Sequence, residues 1–169
     1  MTQPSSATHE VLNQSPPFED VDLFGVDRPL VEAVAANGGA AAATELSEFG
    51  KHWGSAEMAA RGRVANENTP KLRIFDPRGN RRDEVEFHPA YHELMARSAH
   101  AGVHNSTWNA VGQPAGGAAE VVRAAKFYMA AGIETGHLCP ITMTRASVAA
   151  LAAQPDLLAK TMQIGRAHV

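Results

Sequence analysis

Between Leu138 and Ala153 the only charged side chain is Arg145, and this near-neutral run lies close to the end of the chain. Pro140 suits the first turn of a helix, where a missing N–H costs nothing, and Cys139 is placed as the N-cap before it. A helix apolar on nearly every side belongs inside a larger body. With Thr142, Thr144, Ser147 and Arg145 among its 16 residues, it is too short and too polar to span a bilayer. A buried helix so placed needs something to cover it, so the chain is expected to be the front part of a larger protein.

The remaining pattern predicts an all-α fold, a helical bundle with one small β-hairpin. Asp27 caps a helix over Pro29–Ala36 with Leu30, Val31 and Val34 on its apolar face, and Asn37-Gly38-Gly39 stops it. A second helix spans Thr44–His52, with Leu46 and Phe49 inward and Gly50 and Gly54 as breakers. Ser55 caps a third, which ends near Asn68. Alternating runs at Leu72–Phe75 and Glu84–Phe87 flank Asp76-Pro77-Arg78-Gly79-Asn80, a hairpin signal.

From Pro89, the spacing of Tyr91, Leu94, Met95, Ser98 and Gly102 predicts an amphipathic helix ending near His104-Asn105. A loop follows over Gly112–Gly117. A helix over Ala118–Thr135 then turns Val122, Ala125, Met129 and Ile133 inward and Glu120, Arg123 and Glu134 elsewhere, and Gly136 closes it. Antiparallel helices on short connections form a bundle. Residues 1–20, rich in Ser, Pro and Gln, are expected to be disordered or extended, and residues 21–162 form the helical domain. The last seven residues, QIGRAHV, read as the translation of a sequencing-adapter oligonucleotide, so 163–169 is expected to be a non-native tail.

Few residues point to chemistry. His88 with His92, and His100 with His104, have the i, i+4 spacing of zinc ligands. They lie off the apolar face with no third ligand in sequence reach, so solvated or helix-end histidines are expected and no metal. Cys139 is the single cysteine, which excludes an internal disulfide, fits a reducing compartment and reads as a packed thiol. Lys71, Arg73, Arg78, Arg81 and Arg82 cluster, but Asp76, Asp83, Glu84 and Glu86 interleave and the net charge is −3. A solvated hairpin follows, not a DNA surface. Glycine-rich phosphate loops and nucleophile elbows are absent from the sequence. Thr142 and Thr144 are polar on an apolar helix and are expected to bond back to carbonyls one turn earlier.

The runs NQSPPFEDVDLF, FDPRGNRRDEVEFHPAYHELM, VHNSTW and ETGHLCPITMT occur in that order between about residues 11 and 160. Together they closely resemble the N-terminal helical domain of the AidB family of adaptive-response proteins, a branch of the acyl-CoA dehydrogenase superfamily. The resemblance implies a first helical domain, a middle β-barrel and a C-terminal helical domain. It implies FAD as cofactor, an acyl thioester as substrate, a link to the DNA alkylation response and a cytoplasmic homo-oligomer. It also implies that the flavin rests mainly on the barrel and the C-terminal domain, which supplies the catalytic carboxylate. No residue here is therefore expected to be catalytic, and the chain alone is expected to be inactive, without FAD or DNA. The last helix of the first domain lies near the flavin and acyl-chain pocket in that superfamily, which marks Thr142, Met143 and Thr144 as site residues. The alternative is a flavoprotein that protects DNA by binding rather than by turnover.

Overall fold

The computed structural model describes residues 12–108 and 117–167, the side chains of the last helix only as far as Thr161. The expected loop over 112–116, the first eleven residues and the last two fall outside the described residues. The described chain runs α1 (Arg28–Ala36), α2 (Ala43–Trp53), α3 (Ala56–Glu67), β1 (Lys71–Phe75), β2 (Arg81–Glu86), α4 (Pro89–His100), α5 (Ala118–Ala131), α6 (Leu138–Leu151) and α7 (Pro155–Ala167). A short 3-10 turn, Ala40–Ala42, leads into α2. The all-α expectation holds, with one two-stranded antiparallel sheet.

Local chemistry starts the helices where expected. The Asp27 carboxylate accepts from Leu30 N at 3.0 Å at the head of α1, and Ser55 Oγ from Met58 N at 3.2 Å at the head of α3. His88 opens α4, its Nδ1 accepting from Ala90 N at 3.1 Å. Gly38 follows α1 with φ +84°, the left-handed backbone that glycine adopts freely.

Two apolar clusters share α5. Trp53, Met58, Leu94, Val103, Ala130, Leu138 and Ile141 pack in one. Phe24, Val34, Leu46, Ala125 and Met129 pack in the other. Ala125 and Met129, at i and i+4 of α5, face the cluster of α1 and α2, and the neighbouring Ala130 faces the cluster that holds α4 and α6.

Three boundaries differ from expectation. Gly50 does not break α2; it lies buried in mid-helix, where a Cβ would sit 2.5 Å from Asp22 Oδ1 and 2.7 Å from Phe24 N. The missing side chain lets the N-terminal segment lie against the helix, and Asp22 holds it there by accepting from Ser47 Oγ at 2.6 Å. The fourth helix stops at His100, with Gly102 beyond it at φ +71°. The fifth stops at Ala131 rather than Thr135, because the residues after it fold back around Glu134.

The hairpin pairs Leu72 with Val85 and Arg73 with Glu84, and every residue of both strands is exposed. Asp76 holds the turn by accepting from Arg78 N at 2.8 Å and Asn80 N at 2.9 Å. Arg73 pairs with Glu86, Arg81 with Asp83 and Arg82 with Glu84, so three of the five basic side chains of the cluster are neutralised within a solvated hairpin.

Candidate functional site: the outward face of the sixth helix

The chain enters α6 through a buried polar knot. Glu134 faces inward, against expectation, and is almost fully buried. Its carboxylate accepts from Gly136 N at 2.5 Å, from His137 N at 2.9 Å and from His137 Nδ1 at 2.8 Å. A carboxylate can only accept, so Nδ1 carries the proton and Nε2 is left to accept from Ser98 Oγ, 2.9 Å away on α4. Trp53 of α2 stacks on the imidazole with centroids 5.6 Å apart. Burial holds the His137 pKa below the ordinary histidine value, outweighing the pull of Glu134 in the other direction. Burial pushes the Glu134 carboxyl up, but the donors from His137 and Gly136 outweigh it and hold the group below its ordinary range.

Serine, histidine and glutamate in this order have the connectivity of a hydrolase triad. Here Ser98 and His137 are fully buried, so no substrate reaches the hydroxyl. The arrangement instead fastens the first turn of α6 to α4 and places a negative charge at its N-terminus, where the helix dipole favours one. Sequence reading missed it. The available signal was a Glu–His pair three residues apart directly before an uncharged helix.

His137, not Cys139, is the N-cap residue of α6, and Cys139 is exposed rather than packed. Nor is the helix buried all round. Leu138, Ile141 and Val148 face the core, while Met143 is 66% exposed. At 100° per residue, Cys139, Met143, Ala146 and Ala150 form one outward ridge. Thr142 and Thr144 stand about 200° apart and flank Met143 on opposite sides. The structure therefore puts Met143 at the centre of the predicted site and does not bring the two threonines together. Thr142 Oγ1 donates to Leu138 O at 2.9 Å, as expected. Arg145, the one charge on the helix, is drawn back to Glu120 of α5 at 3.0 Å. The outward face is left uncharged, and it can offer an uncharged partner dispersion contacts and the lone pairs of Thr142.

The histidine pairs do not converge. His88 caps α4, His92 sits edge-on to Phe87 and Tyr91, and His104 sits edge-on to Trp108. Among the described residues no three His, Cys, Asp or Glu side chains gather as a metal group. Among them, too, no helix is long and apolar enough to cross a membrane.

Residues 13–166 match the family profile of the adaptive response protein AidB N-terminal domain. AidB of Escherichia coli (strain K12), which its name places with the acyl-CoA dehydrogenases, is 42% identical over 140 residues, 83% of this chain and 25% of that protein. Two solved structures share the fold. Caenorhabditis elegans ACDH-11, solved in complex with C11-CoA, superposes with a TM-score of 0.70 at 21% identity, covering 87% of this chain and 25% of that one. The apo form of Bd2924 superposes at 0.73 and 22% identity, covering 88% of this chain and 30% of that one. The chain thus spans about a quarter of the length of AidB.

Proposed function

The chain belongs to the AidB N-terminal domain family, and from that premise we propose that it is the first helical domain of an FAD-dependent, acyl-CoA dehydrogenase-like oxidoreductase acting on an acyl thioester. The observation that carries this reading is the uncharged outward face of α6, centred on Met143 and set in place by the Glu134–His137–Ser98 knot. FAD, when bound, supplies a two-electron acceptor. An uncharged helix face with hydroxyls at its margins fits as one wall against a flavin ring or an acyl chain, with Met143 in contact and Thr142 and Thr144 at the edges. It offers no base and no cation for a pyrophosphate, so the chain's own part is to shape the pocket and exclude water. Proton abstraction and most of the cofactor's contacts fall to the rest of the protein. The single chain is accordingly inactive and does not retain FAD.

We place the whole protein in the cytoplasm as a homo-oligomer tied to the DNA alkylation response. The reading in which DNA protection replaces catalysis draws little support from this domain. Arg73, Arg81 and Arg82 are each paired to a carboxylate, which leaves Lys71 and Arg78 as the hairpin's unpaired cations among the described residues, in a chain of net charge −3.

A chimera in which this chain replaces the matching quarter of Escherichia coli AidB tests the proposal. The chimera should hold FAD and the isolated chain should be colourless. Met143→Asp in the chimera should weaken flavin or acyl-CoA binding at least about tenfold, roughly 1.4 kcal/mol. Stoichiometric FAD on the isolated chain, or an indifferent Met143→Asp chimera, would refute it.

A further inference from the structure

We propose that the groove between α2 and α4 binds a small organic anion, a carboxylate joined to a compact apolar body, with Arg97 taking the carboxylate. The groove has a volume of about 450 Å³, within the range of small-molecule sites. Phe49, Ala96 and Ala101 supply its apolar surface, and His52, Arg97 and His100 stand along it. Every ionisable side chain that lines it is therefore basic. No residue of α6 takes part, so the site is separate from the face centred on Met143.

The dimensions favour a small molecule over a polypeptide helix. Alanine at 96 and 101, in place of larger side chains, leaves the space between the two helices open. At a rise of 1.5 Å per residue, the lining stretch of α4 from Ala96 to Ala101 is about 7.5 Å long. A docked helix is about 10–12 Å across and does not enter it. A flat ring does, and it can lie against Phe49.

The field in the groove is positive even though carboxylates lie nearby. A guanidinium can only donate, so Arg97 Nη1, 2.9 Å from His52 Nε2, donates to an unprotonated imidazole nitrogen. Glu57 lies 3.7 Å from Arg97 Nη2 but only 2.9 Å from Arg61 Nη1. Glu93 is likewise drawn to Arg61, and Glu45 to Lys126 at 2.6 Å. None of these three carboxylates lines the groove. His52 registers the balance: burial holds its pKa below the ordinary histidine value, and beyond burial Arg97 lowers it more than Glu57 raises it. Arg97 has five N–H donors, and His52 takes one of them. An entering carboxylate finds the others, with the imidazoles of His52 and His100 beside them.

Titration of the full chain with 2-naphthoate, followed by two-dimensional NMR, tests the site. Acetate, which has the charge without the ring, and 2-naphthylmethanol, which has the ring without the charge, are the controls. The expected result is a saturable movement of the Ala96 and Ala101 signals, with 2-naphthoate binding at least about tenfold more tightly than either control. The Met143 signals should stay where they are. Arg97→Gln removes the charge and Ala96→Phe fills the space, and each should weaken binding at least about tenfold. Circular dichroism checks that both variants keep their helices, and Ala96→Phe, at an exposed position, decides alone if Arg97→Gln does not fold. The absence of a saturable shift overturns the proposal, as does equal binding of 2-naphthylmethanol. So does movement at Met143 in place of Ala96 and Ala101, or a folded variant that binds 2-naphthoate as the unaltered chain does.

Discussion

His137 Nδ1 lies 2.8 Å from Glu134 Oε2, with both side chains out of contact with solvent. The pair spans the turn between α5 and α6, and its other end is tied to α4 through Ser98. Two consecutive helices and a third that lies 39 residues away therefore depend on one imidazole staying neutral and one carboxylate staying charged.

Acid should loosen this knot in two stages. The folded His137 pKa lies below the ordinary 6.5, so beneath that value the unfolded chain takes up a proton that the folded one resists. Stability then starts to fall as the pH drops below 6.5. The folded Glu134 pKa lies below the ordinary 4.5, so its contribution is present above 4.5 and is lost as the pH falls through the folded value. Thermal melts from pH 8 to pH 3 should stay level down to about 6.5 and decline below it, with the second stage under 4.5. His137→Gln should flatten the upper stage and keep the lower; His52 and His104, also held low by burial, leave a residue of the first. An unchanged upper stage in His137→Gln would move the effect to other groups.

Ser98→Ala should cost about 1–3 kcal/mol, because it leaves His137 Nε2 buried without a donor. Urea melts give the size. Nitrogen shifts of the imidazole check the cause, since the Nδ1–H tautomer should be well defined in the unaltered chain. A stability change below about 0.5 kcal/mol would mean that the Ser98 contact adds nothing.

Gly50→Ala and Gly132→Ala should differ in sign. Alanine favours a helix interior by about 1 kcal/mol, but at Gly50 its methyl would press on Asp22 and the backbone of Phe24. Overpacking of that kind costs about 1–3 kcal/mol, and a backbone nitrogen cannot move aside as a side chain can. Gly132 sits at φ −65° and ψ −20°, and a Cβ there meets only Met129 O at 3.4 Å. That substitution should be neutral or stabilise by up to about 1 kcal/mol. Chemical denaturation of the two variants measures both.

The legible parts of the fold are those set by neighbours in sequence. Asp27 and Ser55 bond three residues ahead, and Asp76 holds a turn of five residues. Glu134 was hidden because a glutamate near a helix end ordinarily faces water. Its inward turn depends on a histidine whose other partner, Ser98, lies 39 residues away from it. The sidedness of α6 was hidden for the opposite reason. A helix without charges gives no signal as to which face the core takes, and its buried side is chosen by Leu94 and Val103 from elsewhere in the chain.

That choice of side can be tested by placing a charge on each face in turn. Ile141 is packed with Trp53, Leu94 and Leu138, so Ile141→Lys buries an ammonium group with no carboxylate assigned to it. The expected loss is at least about 3 kcal/mol, enough to unfold a marginal domain. Met143 stands 66% exposed two residues later, on the outward ridge. Met143→Lys should change stability by no more than about 0.5 kcal/mol. It should also reduce binding of a hydrophobic dye, because the lysine interrupts the run Cys139, Met143, Ala146 and Ala150 at its largest apolar member. Thermal melts and dye fluorescence on both variants give the answer. If Met143→Lys unfolds the domain while Ile141→Lys is silent, α6 is turned the other way and the candidate site falls with it.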